Sequence, residues 1–302
     1  MLKMNNIKST FSIKDLENLT GIKAHTIRIW EKRYNLLEPE RTDTNIRYYS
    51  LNNLQKLLNI SYLNTNGYKI SKLALIEASE ILELVSEVAL NDQTNNQVLS
   101  AFKLSMINFD QKLFYDTYSI LEKEKSFTEI FYDDFIPLLS QIGMLWQTDT
   151  ITTAHEHFAT TLIRQKILVN TEILQSKNQI KSKKVFILFL PDNEVHELGL
   201  MMLNYKVIEK GHQCIYLGQS VPINDLKAIL NYYDDITFVS YFTVKPEKDN
   251  IENYIKEFSE KILKKKQTRF WVLGRMTQEI NPLSLPKEII LFDTIKNLVK
   301  KL

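Results

Sequence analysis

His196 stands six residues beyond the apolar run Val185–Leu190, inside the segment Pro191-Asp192-Asn193-Glu194-Val195-His196-Glu197-Leu198-Gly199. An imidazole is a nitrogen ligand that is available uncharged near neutral pH, and a carboxylate beside it strengthens it as a donor. Glu194, two residues upstream, is placed to do that. A second set of reactive side chains lies earlier: Trp146, followed ten and eleven residues later by Glu156 and His157. His155 and His157 do not make a zinc site, because residues two apart on a helix point roughly 200° away from each other. Cys214 is the only cysteine. It excludes an internal disulfide or cysteine cluster and reads as a small buried hydrophobe.

The elements that must position His196 alternate strand and helix from Lys183 onward. Strands are expected over 185–190, 214–217, 237–240, 270–273 and 289–292, with helices over 196–210, 223–232 and 246–265 and a basic tail helix. This alternation predicts a doubly wound parallel α/β sheet, flavodoxin-like or Rossmann-like. Such sheets bind ligands outside the carboxyl ends of their strands. The candidate loops are Asp192–Gly199, Gly218–Pro222 with Val221, Ser240–Thr243 and Gly274–Thr277. No Walker loop or Gly-x-Gly-x-x-Gly is present, and seven glycines in all leave little room for phosphate cradles.

Trp146, Glu156 and His157 fall in a helix-rich stretch. Val98, Phe102, Phe109, Phe114, Phe135, Leu138, Leu139 and Ile142 recur at helical spacing and predict a four-helix bundle, with Pro137 near a helix end or kink. A polar break at Asn91–Asn96 precedes it.

The first part of the chain is different. A short helix over 11–20 opens with a capping box, Ser12 with Asp15, and Gly21 closes it. A second helix runs from Ala24 to Tyr34, with Ile22, Ile27 and Trp30 as its packing set. Lys23 is a poor N-cap for it. The pair is a helix-turn-helix. A polar hairpin over 37–49 then carries Arg41 and Arg47 as a wing, and Ser50 caps an amphipathic helix with Leu51, Leu54, Leu57, Leu58 and Tyr62.

A chain of 302 residues, 44% hydrophobic and 25% charged, is long enough for about two to three globular domains. No run of about 18 apolar residues exists, and Met1–Asn6 lacks an apolar leader, so no membrane association is expected and the chain is placed in the cytoplasm. Net charge is only +2, yet residues 1–76 carry twelve Lys or Arg against six Asp or Glu, leaving the remainder acidic on balance. A basic head on an acidic body is the electrostatic footprint of a part that reads nucleic acid joined to a part that does not.

Residues 11–76 resemble the MerR family. Phe11-Ser12-Ile13, Thr20-Gly21, the run His25 to Tyr34, Leu36-Leu37, Pro39, Arg41 and Arg47-Tyr48-Tyr49 carry the resemblance. It implies symmetric binding to a double-stranded DNA operator as a homo-oligomer, dimer or tetramer. Base contacts would come from His25, Thr26 and Arg28, and phosphate contacts from Arg33, Tyr34, Arg41, Arg47 and Tyr48. The pattern Glu194-x-His196-x-x-Gly199, followed by Val221, Ser240 and Gly274, resembles the cobalamin-binding module. That resemblance makes His196 the lower axial ligand of cobalt, with the displaced base threading past Gly199, Ser240 and Gly274. The segments around Trp146, Glu156 and His157 resemble the helical cap of cobalamin-binding MerR-type regulators, where these residues enclose an adenosyl group. Two positions depart from these patterns: Arg275 follows Gly274 where a second glycine is usual, and Gln147 stands where light-responsive members carry a second cobalt-binding His.

The combined reading is a winged helix-turn-helix head over 1–78, a helical bundle over 79–180 that caps the cofactor's upper face, and a cobalamin-binding sheet over 181–302. The protein is then a transcriptional repressor, not an enzyme, that senses adenosylcobalamin or light and controls its oligomerisation and operator binding. The alternatives are a cobalamin-independent regulator governed by a protein partner such as an antirepressor, and a corrinoid enzyme subunit. The second lacks room for a substrate domain.

Overall fold

A computed structural model describes residues 10–91, 95–147, 151–177, 180, 184–263 and 267–302. The chain divides into two compact units, residues 1–163 and 164–302.

The first unit begins with the expected head. Ser12 caps helix Ile13–Thr20: Asp15 N donates to Ser12 Oγ at 3.2 Å and Ser12 N to Asp15 Oδ2 at 2.7 Å. Gly21 ends the helix in the left-handed region, φ +75°, and returns its N–H to Glu17. Helix Ala24–Tyr34 has no side-chain cap from Lys23. Glu17 of the preceding helix substitutes, accepting from Ala24 N at 3.4 Å, so one carboxylate joins the two helices of the turn. The hairpin is β2 (Glu40–Arg41) against β3 (Arg47–Ser50). A two-residue strand that the sequence reading did not foresee, β1 (Thr10–Phe11), pairs with the other edge of β3, giving an antiparallel sheet β1-β3-β2. Phe11, Leu16, Leu19, Ile27, Tyr49, Leu54 and Leu57 form the buried core of the head. Trp30 is only half-buried, so the second helix is anchored mainly by Ile27.

Helices Leu51–Thr65, Ile70–Leu73, Ala78–Asn91, Asn95–Asn108, Gln111–Leu121, Phe127–Ile130 and Ile136–Gln147 complete most of this unit. Phe102 packs on Phe114 and Phe135 at ring separations of 4.9 and 5.7 Å. A wide π turn, Phe131–Phe135, leads into the helix that holds Pro137. Phe109 departs from the expected core: it terminates its helix at φ +53°, is 45% exposed, and stacks on His155 at 4.6 Å. Helix Thr153–Lys177 spans the division between the units.

The second unit contains five parallel strands: β4 (Val185–Phe189), β5 (Gln213–Gly218), β6 (Asp235–Tyr241), β7 (Gln267–Leu273) and β8 (Ile289–Leu291). Their order is β5-β4-β6-β7-β8. Every residue of β4 is at most 1% exposed, because helices cover both faces of a parallel sheet and remove any need for alternation. Phe189, Phe238, Phe258 and Phe270 fill one face, with Phe258 and Phe270 stacked at 3.8 Å. The expected helix over 223–232 is a short α-turn, Ile223–Leu226, that tightens into a 3-10 segment, and that over 246–265 is α-helical only for Lys248–Phe258 before a π turn. The chain leaves β4 towards β5 on one side and later returns to β6 on the other. Between β4 and β6 lies the switch point where such sheets bind ligands.

Candidate functional site

The loop after β4 delivers His196 to that switch point. Its neighbour Glu194 is 1% exposed at the side chain, whereas His196 is 55% exposed. Glu194 Oε1 accepts from the backbone N–H of Val195 and His196, at 3.0 and 3.1 Å, and lies 2.5 Å from His196 Nδ1. Its Oε2 accepts from the backbone N–H of Thr243, Val244 and Lys245, at 3.2, 2.7 and 2.8 Å. One buried carboxylate therefore ties the loop after β4 to the loop after β6. Burial alone would raise its pKa. The hydrogen bonds from His196 and from the backbone of Lys245, Val244 and His196 outweigh burial and bring it down to about 2. An ionised carboxylate can only accept, so Nδ1 of His196 donates, and Nε2 is the ring nitrogen that holds a lone pair in the neutral imidazole.

The surrounding loops are tied to the same segment. Asn193 N donates to Ser220 Oγ at 3.1 Å, Gln219 Nε2 to the carbonyl of Val195 at 3.1 Å, and Val221 N to the carbonyl of Leu190 at 2.9 Å. Glu197 accepts from the Tyr216 hydroxyl at 2.9 Å and pairs with Arg164 at 3.2 Å. Around His196 three apolar side chains remain exposed: Val195 at 55%, Leu217 at 37% and Val244 at 48%. Val195 and Val244 stand on the loops after β4 and β6, and Leu217 at the carboxyl end of β5, where a planar apolar ligand would cover them. None of the three stood out in the sequence: Val195 and Val244 fall outside any periodic pattern, and Leu217 was read only as the end of the strand 214–217.

The other sequence-predicted residues of this edge are placed as follows. Ser240 is fully buried and donates to the carbonyl of Phe189 at 2.9 Å, joining β6 to β4. Val221 packs against the sheet core. A Cβ on Gly199 would stand 2.7 Å from the ring of Tyr241, and one on Gly274, at φ +105°, would stand 2.3 Å from the carbonyl oxygen of Phe242. Both glycines are thus required by close packing within the unit. Arg275 is exposed. Cys214 lies half-buried in β5, and burial raises its thiol pKa.

The donor set fits a corrinoid's lower face. It offers a single oriented imidazole with a lone pair on Nε2, a buried carboxylate behind it and an apolar rim around it. Among the described residues no cluster of three or more His, Cys, Asp or Glu could hold a metal ion by itself.

In the first unit, Trp146 lies near the end of helix Ile136–Gln147 with 52% of its surface exposed. Glu156 and His157 occupy the first turn of the next helix, with His157 Nε2 3.3 Å from Glu156 Oε2. His155 points the other way: it is buried, its Nδ1 meets the Thr152 hydroxyl at 2.8 Å, and burial lowers its pKa. The Gln147 side chain lies outside the described residues.

In the head, His25, Arg28 and Arg33 are exposed on one helix, with Thr26 and Tyr34 half-buried beside them, and the Arg33 guanidinium lies 5.3 Å from the Tyr34 ring. In the hairpin Arg41 is exposed and donates to Asn45 at 2.6 Å, and Tyr48 donates to Glu40 at 2.7 Å. Arg47 sits 3.3 Å from Glu31 of the helix.

A winged helix-turn-helix head, a helical region and a parallel sheet with an imidazole at its switch point define a class: residues 11–80 match the MerR HTH family regulatory protein, and residues 98–169, in the helices that precede the sheet, match the B12 binding domain. The chain therefore carries a MerR-type HTH region and, separately, a region similar to a B12 binding domain. It is 27% identical over 251 residues to the HTH-type transcriptional repressor CarH of Myxococcus xanthus, covering 80% of this chain and 81% of that protein. Its identity to the repressor CarA of the same organism is 24% over 247 residues, covering 80% and 79%. The monomethylamine corrinoid protein of Methanosarcina barkeri shares the fold, with a TM-score of 0.51 at 13% identity, covering 74% of this chain and 98% of that one.

Proposed function

We propose that this regulator binds adenosylcobalamin, uses His196 as the lower axial ligand of cobalt, and couples the state of the cofactor to oligomerisation and operator binding. The Glu194–His196 pair carries the reading: a buried, ionised carboxylate orients an exposed imidazole at the switch point of a flavodoxin-ordered sheet. When bound, the cofactor supplies a cobalt–carbon bond that light can break. Glu194 fixes the tautomer of His196 and holds the two flanking loops, and Val195, Leu217 and Val244 would exclude water around the imidazole once the cofactor is bound. In the helical unit the proposed cofactor contacts are Trp146, Glu156 and His157.

Function divides the chain at 78/79 and 180/181, into DNA head, cap and cofactor sheet. Base contacts are assigned to His25, Thr26 and Arg28, and phosphate contacts to Arg33, Tyr34, Arg41, Arg47 and Tyr48. Joining weakly binding heads raises apparent affinity by about 10²–10⁴-fold, so assembly alone switches occupancy. The setting is cytoplasmic, and among the described residues no helix is long and apolar enough to cross a membrane. A second reading, control by a protein partner without cofactor, draws on the packing that by itself accounts for Gly199 and Gly274.

Gel filtration with adenosylcobalamin, in the dark and after green light, tests the proposal. The expected result is an assembled species in the dark that dissociates on illumination. One elution volume under all conditions overturns it.

A further inference from the structure

The head contains a buried carboxylate that the assignment of DNA contacts does not use. Glu31 lies on the same helix as Arg28 and Arg33, but its side chain is only 8% exposed. One oxygen accepts from the hydroxyl of Tyr49, a fully buried residue of β3. The other lies 3.3 Å from Arg47 Nε, two residues earlier in the same strand, and that Nε is itself buried with no directional hydrogen bond. Tyr49 also pairs with Phe11 in β1, and Arg47 with Arg41 in β2, so both residues sit at the centre of the small sheet. A carboxylate in a region that must meet phosphates costs binding energy by charge alone. Its burial against two groups of β3 gives it another use.

We propose that Glu31 is a positioning residue for DNA binding: it clamps the hairpin to the helix Ala24–Tyr34 and holds the Arg47 guanidinium in the orientation that presents it to a phosphate. Arg47 reaches DNA as a fork whose inner edge is already fixed, so less side-chain freedom is lost when the outer edge engages. The inference rests on the DNA-binding reading of the head.

Electrostatics and positioning predict opposite signs, and this makes the test decisive. Glu31→Gln adds one positive charge to the head, which by screening arguments alone tightens binding to any duplex. Positioning predicts weaker binding, on the order of tenfold, because a charge-assisted contact to phosphate is lost. The full-length protein is titrated into a fluorescein-labelled random-sequence duplex across a series of salt concentrations. The expected salt slope for Glu31→Gln falls by about 0.9, the release of one phosphate contact. Arg47→Gln shows the same loss, and the double variant is no weaker than either single one. Glu31→Asp, which keeps the charge but withdraws the carboxylate, also weakens binding and serves if Glu31→Gln does not fold. Equal or tighter binding by Glu31→Gln, or full binding by Glu31→Asp where only that variant folds, overturns the proposal. Failure of the unmodified protein to bind duplex DNA at low salt overturns the DNA-binding reading itself.

Discussion

Replacing Glu194 by Gln isolates the carboxylate that holds the sheet-edge site together. The side chain is 1% exposed and accepts from five backbone N–H groups and one imidazole. Its pKa lies at about 2 instead of the ordinary 4.5. That difference corresponds to about 3 kcal/mol of folding stability at neutral pH. A group whose folded pKa is depressed contributes stability that is complete above its unfolded pKa and is lost as pH falls through the folded one. The contribution is therefore present above about pH 4.5 and is gone once pH drops below about 2. Urea unfolding of parent and variant across this range gives the comparison, with Trp30 and Trp146 replaced by Phe so that buried Trp271 alone reports on the second unit. The expected result is a variant destabilised by about 3 kcal/mol at pH 7, with the gap closing between pH 4.5 and 2. Equal midpoints at pH 7, or a gap that does not change with pH, would refute the reasoning.

Three other outcomes follow from the same geometry. Gly274→Ala places a Cβ 2.3 Å from a backbone oxygen at φ +105°, and is expected to lower stability by roughly 3 kcal/mol or more, read by urea midpoint. Phe270→Ala removes the centre of the aromatic stack on Phe258, with an expected cost of about 3–5 kcal/mol in the same assay. Arg28→Ala alters an exposed side chain, so its melting temperature is expected to change little, while affinity for operator DNA falls and specificity relaxes by about 1–3 kcal/mol at the contacted base in a competition assay.

Much of this was legible in the sequence where the responsible interactions are local. The Ser12–Asp15 capping box, the poor cap at Lys23 and the Glu194–His196 pair all lie within three residues of their partners. The strand run Val185–Leu190 announced a sheet covered on both faces by its unbroken apolarity. What escaped depends on contacts distant in sequence. Glu194 receives three backbone N–H groups from Thr243 to Lys245, about fifty residues away, and no spacing rule reports this. The cap that Glu17 gives Ala24, and the seat of Arg47 on Glu31, are of the same kind. β1 is two residues long and leaves no periodic trace. Phe109 was read as core because apolar periodicity does not mark where a helix ends, and its left-handed φ turns the ring outward. Val195, Leu217 and Val244 went unnoticed because an apolar residue in a loop or at a strand end is common and gains meaning only from its neighbours in space.

His196 is proposed to hold cobalt. The most direct measurement is the absorbance spectrum of the protein after incubation with adenosylcobalamin in the dark and removal of unbound cofactor, for the unmodified chain and for His196→Ala. His196 is more than half exposed, and the five backbone N–H groups that hold Glu194 remain in His196→Ala, so the fold is expected to survive, checked by circular dichroism. The unmodified protein is expected to retain the chromophore with an imidazole-ligated spectrum, and His196→Ala to lose affinity or show the spectrum of cobalt without that ligand. A colourless unmodified protein, or identical spectra and affinities for the two, would contradict it.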